Sequence, residues 1–272
     1  MKPILQILLF TLFAAAPALA QQAAPEPPAA KPAPAPTNTT TNNEPPLDEE
    51  HVVHLLNGSD LNSFYSYFKE FGVQKDPDHI FTITNGLLRI SGRHVGYLAT
   101  RTNFSDYKLV AEFKWGKLAF GRRAAKTRNS GVLVHATGVD KLWMRSFECQ
   151  IQEGATGDVV LQSGAQLTVG GEAKFAAWST FERPGKQPWH DELGFRGPNE
   201  IENPPGEWNT MEILCDSDFL KVTVNGKVTV DGRGATPQSG QILLQSNEAE
   251  IFFRRLDLYP IKKKPAAAPN SG

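Results

Sequence analysis

Glu148 and Gln150 lie two residues apart in FECQIQE, a run that alternates polar and apolar residues from Phe147 to Glu153. Side chains of a β-strand point to alternate faces. Glu148, Gln150 and Gln152 therefore share one surface, and Phe147, Cys149 and Ile151 the other. A carboxylate beside an amide on such a face binds sugar hydroxyls, ligates a metal or accepts a proton; the competing reading is a solvated outer face, the ordinary way an antiparallel sheet meets water. His135 closes RNSGVLVH and reads as a general base or metal ligand, because an imidazole titrates near neutrality, or as a structural histidine. Arg128 and Asn129, just before it, are suited to fix a carbonyl or hydroxyl by charge-assisted and amide hydrogen bonds, or they form a surface turn. Glu112 and Lys114 are a site pair or a cross-strand salt bridge. Trp143, Trp178, Trp189, His190 and Trp208 either stack on sugar faces or pack in the core. The sequence has no HExxH, no GxSxG and no phosphate-cradling glycine loop, which argues against zinc proteases, serine hydrolases and nucleotide enzymes.

The elements that position these residues are strands. Short β-branched and aromatic runs alternate with Gly, Asn and Asp turns, and ITNGLL at 83–88 and VTVNGKVTV at 222–230 carry the Asn-Gly hairpin signal. In Lys108–Trp115, Leu109, Ala111, Phe113 and Trp115 face one way and Val110, Glu112 and Lys114 the other. In Ser130–His135, Gly131, Leu133 and His135 are expected on one face, extended by Asn129. The polar residues of these strands are expected in rows across one sheet surface. Residues 162–209 lack a clear period, and their aromatic content predicts an ordered excursion over a sheet edge. No helical period is sustained. The fold class is all-β, a two-sheet antiparallel sandwich, either a jelly roll or a related form.

The ends bound the domain. Lys2, the apolar Ile4–Phe13 and Ala18-Leu19-Ala20 match a secretory signal peptide over 1–20, which predicts an extracytoplasmic protein, periplasmic or secreted. Residues 21–47, with eight prolines, read as a disordered tether and 261–272 as a disordered tail. Residues 48–260 fit one all-β domain. No transmembrane segment is expected. The net charge of −1 with scattered basic residues gives no nucleic-acid footprint. Cys149 and Cys215 are the only cysteines; they permit one bridge or two buried thiols.

Several segments in order carry a family resemblance: HLLNGSDLNSFY at 54–65, NGLLRISG at 85–92, GYLAT at 96–100, FSDYKLVAEFKWG at 104–116, RNSGVLVH at 128–135, WMRSFECQIQEGATGD at 143–158, PPGEWNTMEI at 204–213, VNGK at 224–227 and GQILLQSNEAEIFFRRLDLYP at 240–260. Together they resemble the 3-keto-disaccharide hydrolase family, also described as 3-keto-glucoside-1,2-lyase/3-keto-2-hydroxy-glucal hydratase. The resemblance implies a concanavalin A-like lectin/glucanase sandwich with a concave sugar-binding face. It implies a 3-keto-glycoside, or another carbohydrate, as partner. A ketone at C3 acidifies the C2 proton, so a base removes it, the C1 substituent is expelled, and water adds to the resulting glucal. The implied machinery is His135 and Glu148 dividing the roles of catalytic base and ligand of one divalent metal ion, with Arg128, Asn129 and Gln150 positioning the sugar; Glu112 and Lys114, from the strand pattern alone, stand as further binding candidates. Relatives carry Asp where this chain has Asn129, which keeps open a non-catalytic, lectin-like module of the cell envelope.

Overall fold

The computed structural model describes residues 44–262. The expected signal peptide, nearly all of the tether and all but the first two residues of the tail lie outside the described residues. Residues 44–47 and 261–262 belong with the domain: Leu47 bridges to Ile261, and Glu44 pairs with Lys221 at 2.7 Å and Lys108 at 3.9 Å.

Among the described residues the chain forms, in order, β1 (Val53–His54), β2 (Phe64–Phe68), β3 (Gly72–Val73), β4 (Phe81–Thr84), β5 (Leu87–Ile90), β6 (Gly96–Thr100), β7 (Tyr107–Ala119), β8 (Asn129–Thr137), β9 (Arg145–Gln152), β10 (Val159–Gln162), β11 (Gln166–Val169), β12 (Glu172–Lys174), β13 (Ser179–Phe181), β14 (Asn209–Asp216), β15 (Phe219–Val224), β16 (Lys227–Thr236), β17 (Gln241–Ser246) and β18 (Ala249–Pro260). One 3-10 turn, Gly121–Arg123, is the helical content of these residues. The Asn-Gly pairs at 85–86 and 225–226 are hairpin turns, joining β4 to β5 and β15 to β16. Their φ values of 52° and 76° at Asn85 and Gly86, and 47° and 77° at Asn225 and Gly226, are the positive pair that matches strand twist.

The strands pair antiparallel in two sheets. A 10-stranded sheet runs β12-β11-β16-β15-β14-β7-β18-β5-β4 with β1 on β18, and an 8-stranded sheet runs β13-β10-β9-β8-β17-β6-β2-β3. The core lies between them, where Leu109, Ala111, Phe113 and Trp115 of β7 join Val132 and Val134 of β8 and Phe147, Cys149 and Ile151 of β9. The expected antiparallel two-sheet sandwich is therefore the observed one, with the expected apolar faces turned inward. Each such aromatic or aliphatic side chain, fully buried, contributes about 1.5–3 kcal/mol.

Two expectations about faces do not hold. β7 lies in the 10-stranded sheet and β8 and β9 in the 8-stranded one, so the Glu112–Lys114 row and the Glu148–Gln150 row occupy different sheets. His135 also leaves the face of Gly131 and Leu133. The β8–β9 register shifts between Val134 and Thr137, and His135 takes φ 53° there. The extra residue of the bulge sends the ring to the core side, edge-on to Tyr107 at 5.6 Å and Phe147 at 6.4 Å, while Ala136 resumes the Leu133 face. Of residues 162–209, expected to be irregular throughout, β11 and β12 extend one edge of the 10-stranded sheet and β13 edges the other sheet; residues 182–208 carry no strand.

Cys149 and Cys215 are buried free thiols. Burial pushes both upward, Cys215 to about 12, so neither offers a thiolate near neutrality. A thiol-reactive disulfide reagent at pH 8 is expected to label neither cysteine in the native protein and both after denaturation. Rapid native labelling would contradict their placement.

Candidate active site on the outer face of the 8-stranded sheet

β9 turns Glu148, Gln150 and Gln152 away from the core. Glu148 is only 4% exposed, and Gly131 explains how it fits. A Cβ at position 131 of the neighbouring β8 would stand 3.1 Å from Glu148 Cγ and 3.2 Å from its Oε1, so the glycine leaves the carboxyl room to lie across β8. There Gln245 of β17 donates Nε2 to Glu148 Oε1 at 3.0 Å. From the other side Gln162 of β10 donates Nε2 to Oε2. Both partners are neutral. Burial consequently pushes the Glu148 carboxyl up to about 7, against the opposing pull of the two amides.

Each amide that gives its NH2 inward leaves its carbonyl oxygen over. Gln162 Oε1, Gln245 Oε1 and Gln150 Oε1 are all buried without a hydrogen-bond partner. Such groups each cost about 1–3 kcal/mol, and a native fold that carries several in one place calls for an explanation. The face is rich in buried acceptors. Hydroxyl groups of a sugar are donors of the required kind.

The rest of the face divides into polar and apolar halves. Asn129 Oδ1 accepts from Asn247 Nδ2 at 2.8 Å, and Gln150 Nε2 donates to Gln152 Oε1 at 2.8 Å. Arg128, between Thr127 and Asn129, turns to the opposite side and does not join this face: it pairs with Glu153 through Nη1 at 2.5 Å and backbone N at 2.8 Å, and Glu153 lines the small cavity of Trp115 and Glu202. Beside Glu148, Leu133 opens a second cluster with Tyr97, Ala99, Ala136, Met144 and Leu243, on which Tyr65, Tyr67 and Trp143 pack. Asp140 holds the tyrosines in place, accepting from Tyr65 at 2.8 Å and Tyr97 at 2.7 Å, while Tyr67 stacks on Tyr97 at 5.1 Å. The cluster sets an aromatic wall beside the polar row.

The other expected site residues are elsewhere. His135 is 2% exposed, its Nδ1 bonded to the Pro237 carbonyl at 3.2 Å, and burial lowers its proton affinity despite that bond. It contacts Phe147, the residue whose face is opposite that of Glu148. The expected metal pair therefore does not assemble, since imidazole and carboxyl lie on opposite sides of one sheet. Among the described residues the clustered His, Cys and acidic groups are instead Asp48, Glu50 and His51 at the surface. Glu112, on the outside of the other sheet, pairs with Arg254 and Arg255; Lys114 lies over Trp208 at 4.8 Å. The salt-bridge reading fits Glu112, although its partners are arginines of β18 rather than Lys114.

A second buried carboxyl, Glu202, accepts from Thr156 Oγ1 at 2.5 Å and Trp115 Nε1 at 3.3 Å, and burial pushes it up to about 7. The cavity beside it holds about 10 Å³, room for roughly one water. Gln162, Gln245, Asn247 and the Tyr97–Asp140 pair were not evident as site residues in the sequence. Neither VVLQ nor QILLQS alternates polar and apolar residues, so no pattern in the sequence marked the two glutamines.

Residues 51–258 match the model of the 3-keto-alpha-glucoside-1,2-lyase-like domain. No curated protein matches the chain. Among solved structures, a protein from Parabacteroides distasonis ATCC 8503, provisionally named a glycosyl hydrolase, superposes with TM-score 0.51 at 16% identity, covering 78% of this chain and 95% of that one. A second such protein from the same organism gives 0.48 at 18% identity, over 78% and 100%. A β-glucanase of Bacillus licheniformis gives 0.45 at 12% identity, over 78% and 98%. The first of these establishes a shared sandwich fold.

The Glu148 environment makes stability depend on pH in a stated direction. Its folded proton affinity lies above the unfolded one, so the folded state binds more protons between pH 4.5 and about 7, and stability falls as pH rises through that window. Replacing the carboxyl by a neutral amide removes this penalty. Urea unfolding of Glu148→Gln should show a stability advantage over wild type that grows by about 3 kcal/mol from pH 4 to pH 8. A constant difference across that range would contradict the assignment.

Proposed function

This chain belongs to the 3-keto-alpha-glucoside-1,2-lyase-like family, and from that membership we propose that the Glu148 face takes the C2 proton from a 3-keto-glycoside. Family membership makes the domain carbohydrate-active. The observation that carries the finer reading is Glu148 itself: a buried carboxyl pushed up to about 7, with three partnerless amide oxygens around and beside it. A general base is most effective when its proton affinity lies near the working pH.

In this reading the sugar hydroxyls donate to Gln150, Gln162 and Gln245, and the ring lies against the Tyr67–Tyr97 wall. Glu148, ionised, removes the C2 proton, and the electron pair delocalises onto the C3 carbonyl as an enolate. The C3 carbonyl re-forms, a C1–C2 double bond appears, and the C1–O bond breaks. The departing aglycone oxygen takes the proton that Glu148 removed, which regenerates the carboxylate and leaves a 3-keto-2-hydroxy-glucal. Water then adds, its hydroxyl to C1 and a proton to C2, for net hydrolysis. His135 takes no part, and no step is routed through a metal ion, because the His135–Glu148 pair does not fit one.

The alternative is a sugar-binding module. It is favoured by Asn129, an amide already engaged with Asn247, and by the withdrawal of His135 into the core. Purified protein incubated with a 3-keto-glucoside separates the two. The proposal expects aglycone release whose kcat/KM climbs as pH rises through about 7, and a loss of at least about 100-fold in Glu148→Gln. Sugar binding with no release would leave only the module.

A further inference from the structure

Gln150 ends a chain of hydrogen bonds that begins in the strandless segment 182–208. Its Nε2 donates to Gln152 Oε1 at 2.8 Å; Gln152 Nε2 donates to Thr127 Oγ1 at 2.8 Å; Thr127 Oγ1 donates to Asp191 Oδ1 at 2.6 Å. The direction of every link follows from the last. An ionised carboxylate only accepts, and a hydroxyl has one proton to give. With that proton on Asp191, Thr127 presents a lone pair to Gln152, which must answer with its NH2. The Gln152 carbonyl then faces Gln150 and takes the NH2 of Gln150 in turn. One oxygen remains at the end of the chain, Gln150 Oε1, buried and without a partner.

Asp191 is built to stay ionised. Burial acts to raise its proton affinity, but the Thr127 hydroxyl, Lys126 and Arg123 outweigh that and hold it below the usual carboxylate range. Arg123 Nη1 lies 3.0 Å and Lys126 Nζ 3.1 Å from its oxygens. The same logic acts at Glu148, which takes the NH2 of both Gln162 and Gln245 and leaves both of their oxygens buried without a partner. Two acids thus set the polarity of four glutamines.

We infer that Asp191 is a positioning residue that fixes the Gln150 amide with its oxygen toward the ligand, so that the site reads a hydroxyl at that point and rejects a carbonyl. The inference rests on the proposed reaction and sharpens it: in a 3-keto sugar Gln150 faces a hydroxyl-bearing carbon, and the keto oxygen lies elsewhere. An unlocked amide rotates and offers its NH2 in half of the molecules, which loses that discrimination.

Three variants test the chain. Asp191→Asn can donate as well as accept, Thr127→Val removes the hydroxyl at nearly constant shape, and Thr127→Ser keeps it. The side-chain amide signals of Gln150 and Gln152 are followed by proton–nitrogen NMR in the whole protein, alongside thermal unfolding. Both signals should shift or split in Asp191→Asn and in Thr127→Val, although Gln150 touches neither position, and Thr127→Ser should keep the wild-type pattern. A purely structural Asp191 would lower the melting temperature and leave Gln150 unmoved; that result overturns the inference, as does a Gln150 signal unmoved in Thr127→Val. With a 3-keto-glucoside as substrate, Asp191→Asn should raise KM about tenfold, the worth of one hydrogen bond, with kcat within about twofold. An unchanged KM beside shifted signals overturns Gln150 as the reading group. If wild type turns over no 3-keto-glucoside while the signals still follow Asp191 and Thr127, the hydrogen-bonded chain stands and the proposed reaction falls.

Discussion

The site depends on one buried contact, the Glu148 carboxyl lying across Gly131 between the amides of Gln162 and Gln245. A carboxyl taken out of water needs either a cation or enough hydrogen bonds to offset its desolvation. Here it receives amides alone. They suffice to keep it in place but not to hold it ionised at low proton affinity, which is why burial wins and carries it to about 7. The contact spans β10, β9, β8 and β17, so it also requires those strands in that order, with glycine at the crossing point.

The bulge in β8 decides what accompanies Glu148. Had the strand kept its alternation past Val134, His135 would stand on the site face, near the carboxyl. The shifted register delivers Ala136 there and seals the imidazole among Tyr107 and Phe147. The consequence is a face with acids and amides but no imidazole, and a histidine that stays neutral inside the sandwich.

The two-sheet sandwich, the Asn-Gly hairpins and the inward faces of β7 and β9 were legible in the sequence, because each rests on local chemistry: a period of two, or a turn that demands positive φ. So were Glu148 and Gln150 as a pair on one face. Sheet membership was not, since nothing local to Glu112 tells which sheet β7 will join. The bulge was hidden because nothing in VLVHAT marks the residue at which the period of two breaks. Gln162 and Gln245 sit at strand ends beside turn residues, where composition masks their role. Asp191 lies in a segment with no period at all, and only the direction of its hydrogen bonds connects it to the site.

A membership read from residues 51–258 and a geometry read from side chains meet at Glu148, and its proton affinity is where they are most exposed to disproof. The direct measurement is a carbon NMR titration of the Glu148 side-chain carboxyl, identified by its absence in Glu148→Gln. The account predicts a midpoint near 7. A midpoint close to the ordinary 4.5 would mean that the carboxyl is solvated or paired with a cation, and would contradict the buried, amide-held base on which the rest is built.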